Sequence, residues 1–145
     1  PVIGNLYKKV YLSRIADNMD TMLSSSIPVL RALEITGDVV DNQLYKDVMT
    51  QAVNDVKAGV SISSSFEKHA IIPPIMVQMV RVGEETGSLG AILKTLARFY
   101  KREVDGAVDT LIGLIEPIMI VGLGVGVGFL LTSILVPIYN IASSL

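Results

Sequence analysis

The chain has no cysteine and no tryptophan, a single histidine, and only five tyrosines and three phenylalanines. Without cysteine there is no disulfide, no thiolate metal site and no cysteine nucleophile. That is compatible with a reducing cytosolic compartment. The lone His69 gives no zinc signature. The serine-rich stretches lack both a second histidine and a G-x-S-x-G elbow, which argues against a serine hydrolase. No G-x-x-x-x-G-K-[ST] occurs, so the chain does not itself bind ATP through a P-loop. Asp38, Asp41 and Asn42 do not fit the twelve-residue calcium loop, and a solvated turn is the plainer reading. No metal or cofactor is called for. With 12 basic against 14 acidic residues and no long basic stripe, nucleic acid is a poor partner. The opening PVIGNLYKKVYLSR has no signal-peptide hydrophobic region. It starts with proline rather than methionine, which suggests a fragment whose earlier part is missing.

What the chain does have is one long apolar run near its C-terminus. Ile118 to Val136 reads IMIVGLGVGVGFLLTSILV, without a charge, and every charged side chain lies at or before Glu116. About 19 residues of helix at 1.5 Å rise span roughly 28 Å, close to the thickness of a hydrocarbon core. The expected organisation is a polar helical domain over residues 1–110, a transmembrane helix over 111–138 and a short extracytoplasmic tail over 139–145. Lys94, Arg98, Lys101 and Arg102 precede the span and nothing basic follows it. The positive-inside rule then places the polar domain in the cytoplasm and the C-terminus outside.

The polar part reads as helices divided by turn chemistry. Val10, Leu12, Ile15, Ala16, Met19, Met22 and Leu23 recur at helical spacing, and Ser24-Ser25-Ser26 ends that helix. Pro28 suits the first turn of a second helix, with Gly37 as its stop. Asp41 or Asn42 caps a third helix that ends at Gly59. Ser63-Ser64-Ser65 precedes a short fourth helix, Ser64 and Glu67 having capping-box spacing. Pro73-Pro74 starts a fifth over Ile75–Val82. Ser88 caps a sixth that nothing stops before Glu116-Pro117. The alternating VGLGVGVG tract is not a strand, because an isolated strand could not satisfy its backbone in lipid. The fold class is therefore all-α: an antiparallel six-helix cytoplasmic bundle followed by a C-terminal transmembrane helix.

Three places stand out as candidate sites. Gly83-Glu84-Glu85-Thr86-Gly87-Ser88-Leu89 sets two carboxylates between two glycines at a helix–helix turn. The acids lie just ahead of the sixth helix, whose N-terminus stabilises them by ~0.3–1 kcal/mol. The bland reading is an ordinary turn; the sharper one is an electrostatic docking point for a partner. Glu116-Pro117 is either an interfacial boundary or a hinge, since Pro117 removes the hydrogen bond to Gly113 and tends to kink or restart a helix. Gly122, Gly124, Gly126 and Gly128 form two overlapping small-xxx-small pairs, the kind of face that packs against other helices in lipid.

Val82-Gly83-Glu84-Glu85-Thr86-Gly87-Ser88-Leu89, together with Leu23-Ser24-Ser25-Ser26-Ile27-Pro28 and with Glu116-Pro117 leading into the glycine-rich span, resembles the type II secretion protein F family. These are inner-membrane platform proteins of type II secretion systems and type IV pilus machines. The resemblance implies a six-helix cytoplasmic bundle and a non-enzymatic role. Its implied partners are a cytoplasmic hexameric assembly ATPase, pilin or pseudopilin subunits, other inner-membrane platform components and membrane lipid. Homo-oligomerisation is expected too. Members usually hold two bundles and three spans, and this chain resembles the second bundle with the last span. Gly83, Glu84, Thr86 and Gly87 would carry the signature turn, and Glu116 with Pro117 the point where the chain enters the membrane. Two other function classes compete. One is a membrane-anchored enzyme using Glu84, Glu85 and His69, which lacks a third group to orient the histidine. The other is a small self-associating pore, for which Thr132 and Ser133 supply too little polarity.

Overall fold

Proline, serine, asparagine and glycine divide the chain into six helices in the computed structural model, which describes residues 2–145. They are α1 (Val2–Ser24), α2 (Val29–Val39), α3 (Gln43–Lys57), α4 (Ile62–Glu67), α5 (Pro74–Thr86) and α6 (Leu89–Ser143). Among the described residues there is no strand.

The starts and stops follow local chemistry. The Asn42 side chain accepts from Leu44 N (2.9 Å) and Tyr45 N (3.4 Å), capping α3. Pro74 occupies the first turn of α5, where its missing N–H has no partner to lose. α1 ends with Ser26 in the left-handed region, φ 64°, and Gly59 beyond α3 has φ 89°.

Several boundaries differ from the sequence expectation. Pro28 precedes α2 as its N-cap rather than opening it. Gly37 does not stop α2 but lies inside it, buried, where an added Cβ would sit 3.1 Å from Met49 Cβ. Ser63, Ser64 and Ser65 belong to α4 instead of preceding it, and Ser63 and Ser65 are buried. α5 runs past Val82 to Thr86. The common reason is that local signals mark where a helix can end, while packing decides whether it does.

The apolar faces meet in one core. Leu12, Ile15, Ala16 and Met19 of α1 pack with Ala32 and Leu33 of α2, Tyr45, Val48 and Met49 of α3, and Phe66 of α4. Met76 and Val80 of α5 and Leu93, Leu96 and Tyr100 of α6 belong to the same cluster. Each fully buried Leu, Ile or Met contributes roughly 1.5–3 kcal/mol over an exposed one. Successive helices pack as neighbours from α1 through α5.

The chain divides into two compact units, Pro1–Asp105 and Gly106–Leu145. In the second, every side chain from Ile112 onward is exposed. Its helix is long and apolar enough to cross a membrane, and none of that apolar stretch is buried. Pro117 and Pro137 both lie inside the helix. The helix is not interrupted at Pro117 and continues to Ser143.

Candidate functional site

The expected signature turn breaks into two pieces with different work. Gly83 is buried within α5, and a Cβ there would lie 3.0 Å from Leu89 Cα and 3.2 Å from Ile92 Cγ1. That is tighter than nine in ten real Cβ contacts, so a side chain here would push the start of α6 back by a few tenths of an ångström, and glycine allows the closer approach. Gly87 is the actual turn. It is the C-cap of α5 at φ 67°, ψ 21°, a conformation that costs a side-chain-bearing residue but not glycine. The N–H groups of Gly87 and Ser88 both donate to the Gly83 carbonyl, closing the helix end. Thr86 Oγ1 donates to the Val82 carbonyl at 2.7 Å and lies 2.6 Å from Ser88 Oγ. Leu89 is partly buried against the core. Gly83 and Gly87 therefore do not bracket a loop; the connection between helices is only Gly87 and Ser88.

Glu84 and Glu85 lie in the last turn of α5, not in a loop ahead of α6. A helix C-terminus is an unfavourable place for a carboxylate. Glu84 escapes this by reaching the start of another helix. Its two carboxylate oxygens accept from Ile62 N (2.6 Å) and Ser63 N (3.1 Å), the first two N–H groups of α4. Ser61, the N-cap, accepts from Ser64 N at 3.2 Å, and Ser65 N donates to the Ser61 carbonyl. The first turn of α4 is thus fully satisfied, half of it by a side chain 22 residues away. A six-residue helix cannot nucleate on propensity; it exists because Glu84 and Ser61 hold its start and Ile62 and Phe66 are buried. The capping serine is Ser61 rather than the anticipated Ser64. Glu85 is exposed and among the described residues has no ion-pair partner.

His69 lines a cavity of about 250 Å³ with Glu67, Gln78 and Arg81, and Arg81 is held by Glu67 at 2.8 Å. Neither Glu84 nor Glu85 lines it, so the three groups of the enzyme alternative are not brought together. Asp55 is bound by Lys68 at 2.9 Å, tying α3 to the residue after α4. That ammonium holds the Asp55 carboxyl down at about 2, below its ordinary 3.8. Glu116 is exposed in the second unit. At Gly122, Gly124, Gly126 and Gly128 an added Cβ would meet nothing within 4 Å.

Comparison with known proteins then decides the family. A family model described as "Type II secretion system (T2SS), protein F" matches residues 15–137. The chain belongs to this family. The type IV pilus assembly protein PilC of Thermus thermophilus is 36% identical over 146 residues, covering 100% of this chain and 36% of the relative. The protein of the same name in Pseudomonas aeruginosa is 32% identical over 143 residues, covering 99% and 38%. A type II secretion system protein F of Aeromonas hydrophila is 30% identical over 141 residues, covering 97% and 36%. The chain therefore spans little more than a third of the length of the curated relatives it matches. In this protein F family chain the turn residues were legible as a cluster, but the capping of α4 by Glu84 was not, because nothing local to Ser61 points to a residue so far along.

Proposed function

We propose that this chain is a non-enzymatic inner-membrane platform element of a type IV pilus or type II secretion machine. An antiparallel six-helix bundle, close to residues 1–110, faces the cytoplasm, and the span over 111–138 anchors it with the C-terminus outside. In this reading the bundle receives the motion of a hexameric assembly ATPase, and the span contacts pilin or pseudopilin subunits and other platform helices through Gly122, Gly124, Gly126 and Gly128. It corresponds to the second bundle and last span of a longer family member. The single observation that carries the proposal is a family match running through both the charged bundle and the apolar helix, residues 15–137.

The absence of native cysteine makes the topology directly testable. A Ser64→Cys chain in inverted inner-membrane vesicles should label with an impermeant maleimide, and a Ser144→Cys chain should not. The reverse pattern overturns the orientation. For the machine role, detergent-solubilised chain should co-purify with the assembly ATPase of its own operon. Glu85 is the residue of the turn free to serve docking, so Glu85→Lys should reduce that co-purification. If the ATPase never co-purifies, the coupling role is wrong.

A further inference from the structure

Three contacts fix which segments share one end of the bundle. Lys9 binds Glu103 at 2.8 Å, so the start of α1 lies against α6 there. Tyr11 Oη donates to the Asp41 carbonyl at 3.1 Å, and the Tyr11 and Tyr45 rings are 5.3 Å apart. The turn between α2 and α3 therefore stands beside the same stretch of α1. Ile3, Tyr7, Val39 and Leu44 belong to this end. At 55–63% they are the most exposed large apolar side chains of Pro1–Asp105 among the described residues; Ile75, Val82 and Phe99 follow at 45–48%. Single exposed apolar residues are ordinary, but four gathered at one end mark a surface that something covers. Charge there is balanced: residues 1–9, 38–47 and 101–105 carry five basic and five acidic side chains. Connectivity tells which surface is within reach. Glu103 precedes Ile118, where the uncharged run starts, by 15 residues (118 − 103). Gly90, which Leu23 approaches at the opposite end, precedes it by 28 (118 − 90).

We propose that this end of the bundle rests on the bilayer surface, with Ile3 and Tyr7 seated at the boundary of headgroups and acyl chains and Val39 and Leu44 at headgroup level. The inference rests on the reading of residues 118–136 as a membrane span. The order of depth follows from helix geometry. At 1.5 Å rise per residue Tyr7 stands about 6 Å and Ile3 about 12 Å beyond Tyr11, the residue level with the α2–α3 turn. Apolar faces that lie in the interface sink about 5–10 Å into it, and a tyrosine ring with its polar tip suits that layer. Balanced charge gives no net pull toward anionic lipid, which basic clusters supply elsewhere. The four apolar side chains therefore carry the contact, and zwitterionic lipid suffices. With the span as one attachment and this end as another, the bundle is held in one orientation to the membrane.

The chain has no tryptophan, so one introduced indole reports its own surroundings. Full-length chain carrying Tyr7→Trp, Leu44→Trp, Val82→Trp or Leu131→Trp is placed in phosphatidylcholine nanodiscs with plain or brominated acyl chains. Tyr7→Trp should emit to the blue of Val82→Trp and be quenched severalfold more by bromolipid, with Leu44→Trp between them. Ile3→Asp with Leu44→Asp, both at exposed sites, should remove most of the Tyr7→Trp quenching. Adding phosphatidylglycerol or 0.5 M salt should leave it unchanged, since salt screens only charge-driven contacts. Leu131→Trp reads the span separately. If Leu131→Trp is quenched while Tyr7→Trp matches Val82→Trp, the surface contact is wrong and the span stands. If neither is quenched, the span reading fails and the inference falls with it. A blue-shifted Tyr7→Trp that bromolipid does not quench overturns the proposal, because protein then covers this end: a second copy or another part of a longer chain. Quenching that appears only with phosphatidylglycerol at low salt overturns it too, in favour of a charge-driven contact.

Discussion

Gly83 in the bundle and Gly122 in the second unit both sit in helix interiors, and they answer to different neighbours. At Gly83 a Cβ would strike Leu89 and Ile92 of the same chain. At Gly122, Gly124, Gly126 and Gly128 it would meet open space. Each interior glycine forgoes about 1 kcal/mol of helix propensity relative to alanine. In Pro1–Asp105 that cost is offset within the chain, by close packing. In Gly106–Leu145 nothing in the chain offsets it. The same contrast holds for charge: the bundle carries ion pairs such as Lys9–Glu103 and Lys68–Asp55, whereas the second unit has no charged side chain after Glu116 and exposes its apolar side chains there. The bundle explains itself from its own contacts, whereas nothing within the chain accounts for the residue choice of the second unit.

The strongest way to break this contrast is to fill the glycines. Gly83→Leu is expected to destabilise the bundle by about 3 kcal/mol, because the nearest obstruction is the Leu89 backbone, which gives way less readily than a side chain. Gly122→Leu should leave bundle unfolding within about 0.5 kcal/mol of the parent. Urea unfolding of full-length chain in detergent, followed by amide exchange over α5 and α6, reads both. Equal effects from the two substitutions would abolish the distinction. The span glycines should respond elsewhere: Gly122→Leu with Gly126→Leu should weaken crosslinking to neighbouring membrane helices.

Glu84 and Glu85 sharpen the comparison inside one turn. Glu84→Lys removes both acceptors from Ile62 N and Ser63 N and puts a cation at a helix N-terminus. Its expected cost is about 3 kcal/mol, given 1.5–3 kcal/mol for a hydrogen bond to a charged group. Amide exchange at Ile62 and Ser63 should quicken first, and Glu84→Gln should retain part of the protection. Glu85→Lys touches nothing within the chain and should change stability by under about 0.5 kcal/mol. Unchanged protection of α4 in Glu84→Lys would show that the cap is unimportant.

These residues also mark what a sequence can and cannot tell. The helical periodicity of α1, α3 and α6, the caps at Asn42 and Pro74 and the uncharged run after Glu116 are local or one-dimensional signals, and they predicted the elements correctly. Gly37 and Gly83 read as stops because glycine usually is one; their real reason is a neighbour that only tertiary packing supplies. The cluster Gly83–Leu89 was visible as unusual. That Glu84 serves α4 depends on a contact across 22 residues, and the Lys9–Glu103 pair depends on α1 meeting α6 across 94. No spacing rule carries either.

Tyr45 and Tyr100 extend the test to the core. Both hydroxyls are buried without a hydrogen-bond partner, and burial pushes both phenols up to about 12 from 10.0. A phenol harder to ionise in the folded chain contributes stability that is intact below pH 10 and fades as pH rises through 12. Tyr45→Phe and Tyr100→Phe remove a hydroxyl that makes no bond. They should be neutral or stabilising by up to about 1 kcal/mol at pH 7 and should flatten the alkaline limb of a stability profile. Tyr139, exposed in the second unit, should give no such change as Phe. A large loss at neutral pH in either core variant would mean that its hydroxyl is bonded after all.

The smallest effect concerns acid, and it falls mainly on the bundle, since the only acidic side chains of the second unit are Asp109 and Glu116. Asp55 is held at about 2 rather than 3.8, first by Lys68 and then by its other hydrogen-bond donors. A carboxyl depressed on folding contributes stability that is present above its unfolded value and is lost as pH falls through its folded one. For Asp55 that loss runs from about pH 3.8 down to about 2. Its partner Lys68 is half exposed, so water and salt screen the pair and the contribution is modest. Lys68→Met removes the chief cause of the depression. It should flatten stability over this acid window while moving the midpoint at pH 7 only slightly, and 0.5 M salt should do the same to the parent chain. The readout is the urea midpoint at half-unit steps from pH 5 to pH 2. An acid limb as steep in Lys68→Met as in the parent would assign the acid sensitivity of the bundle to some other carboxylate.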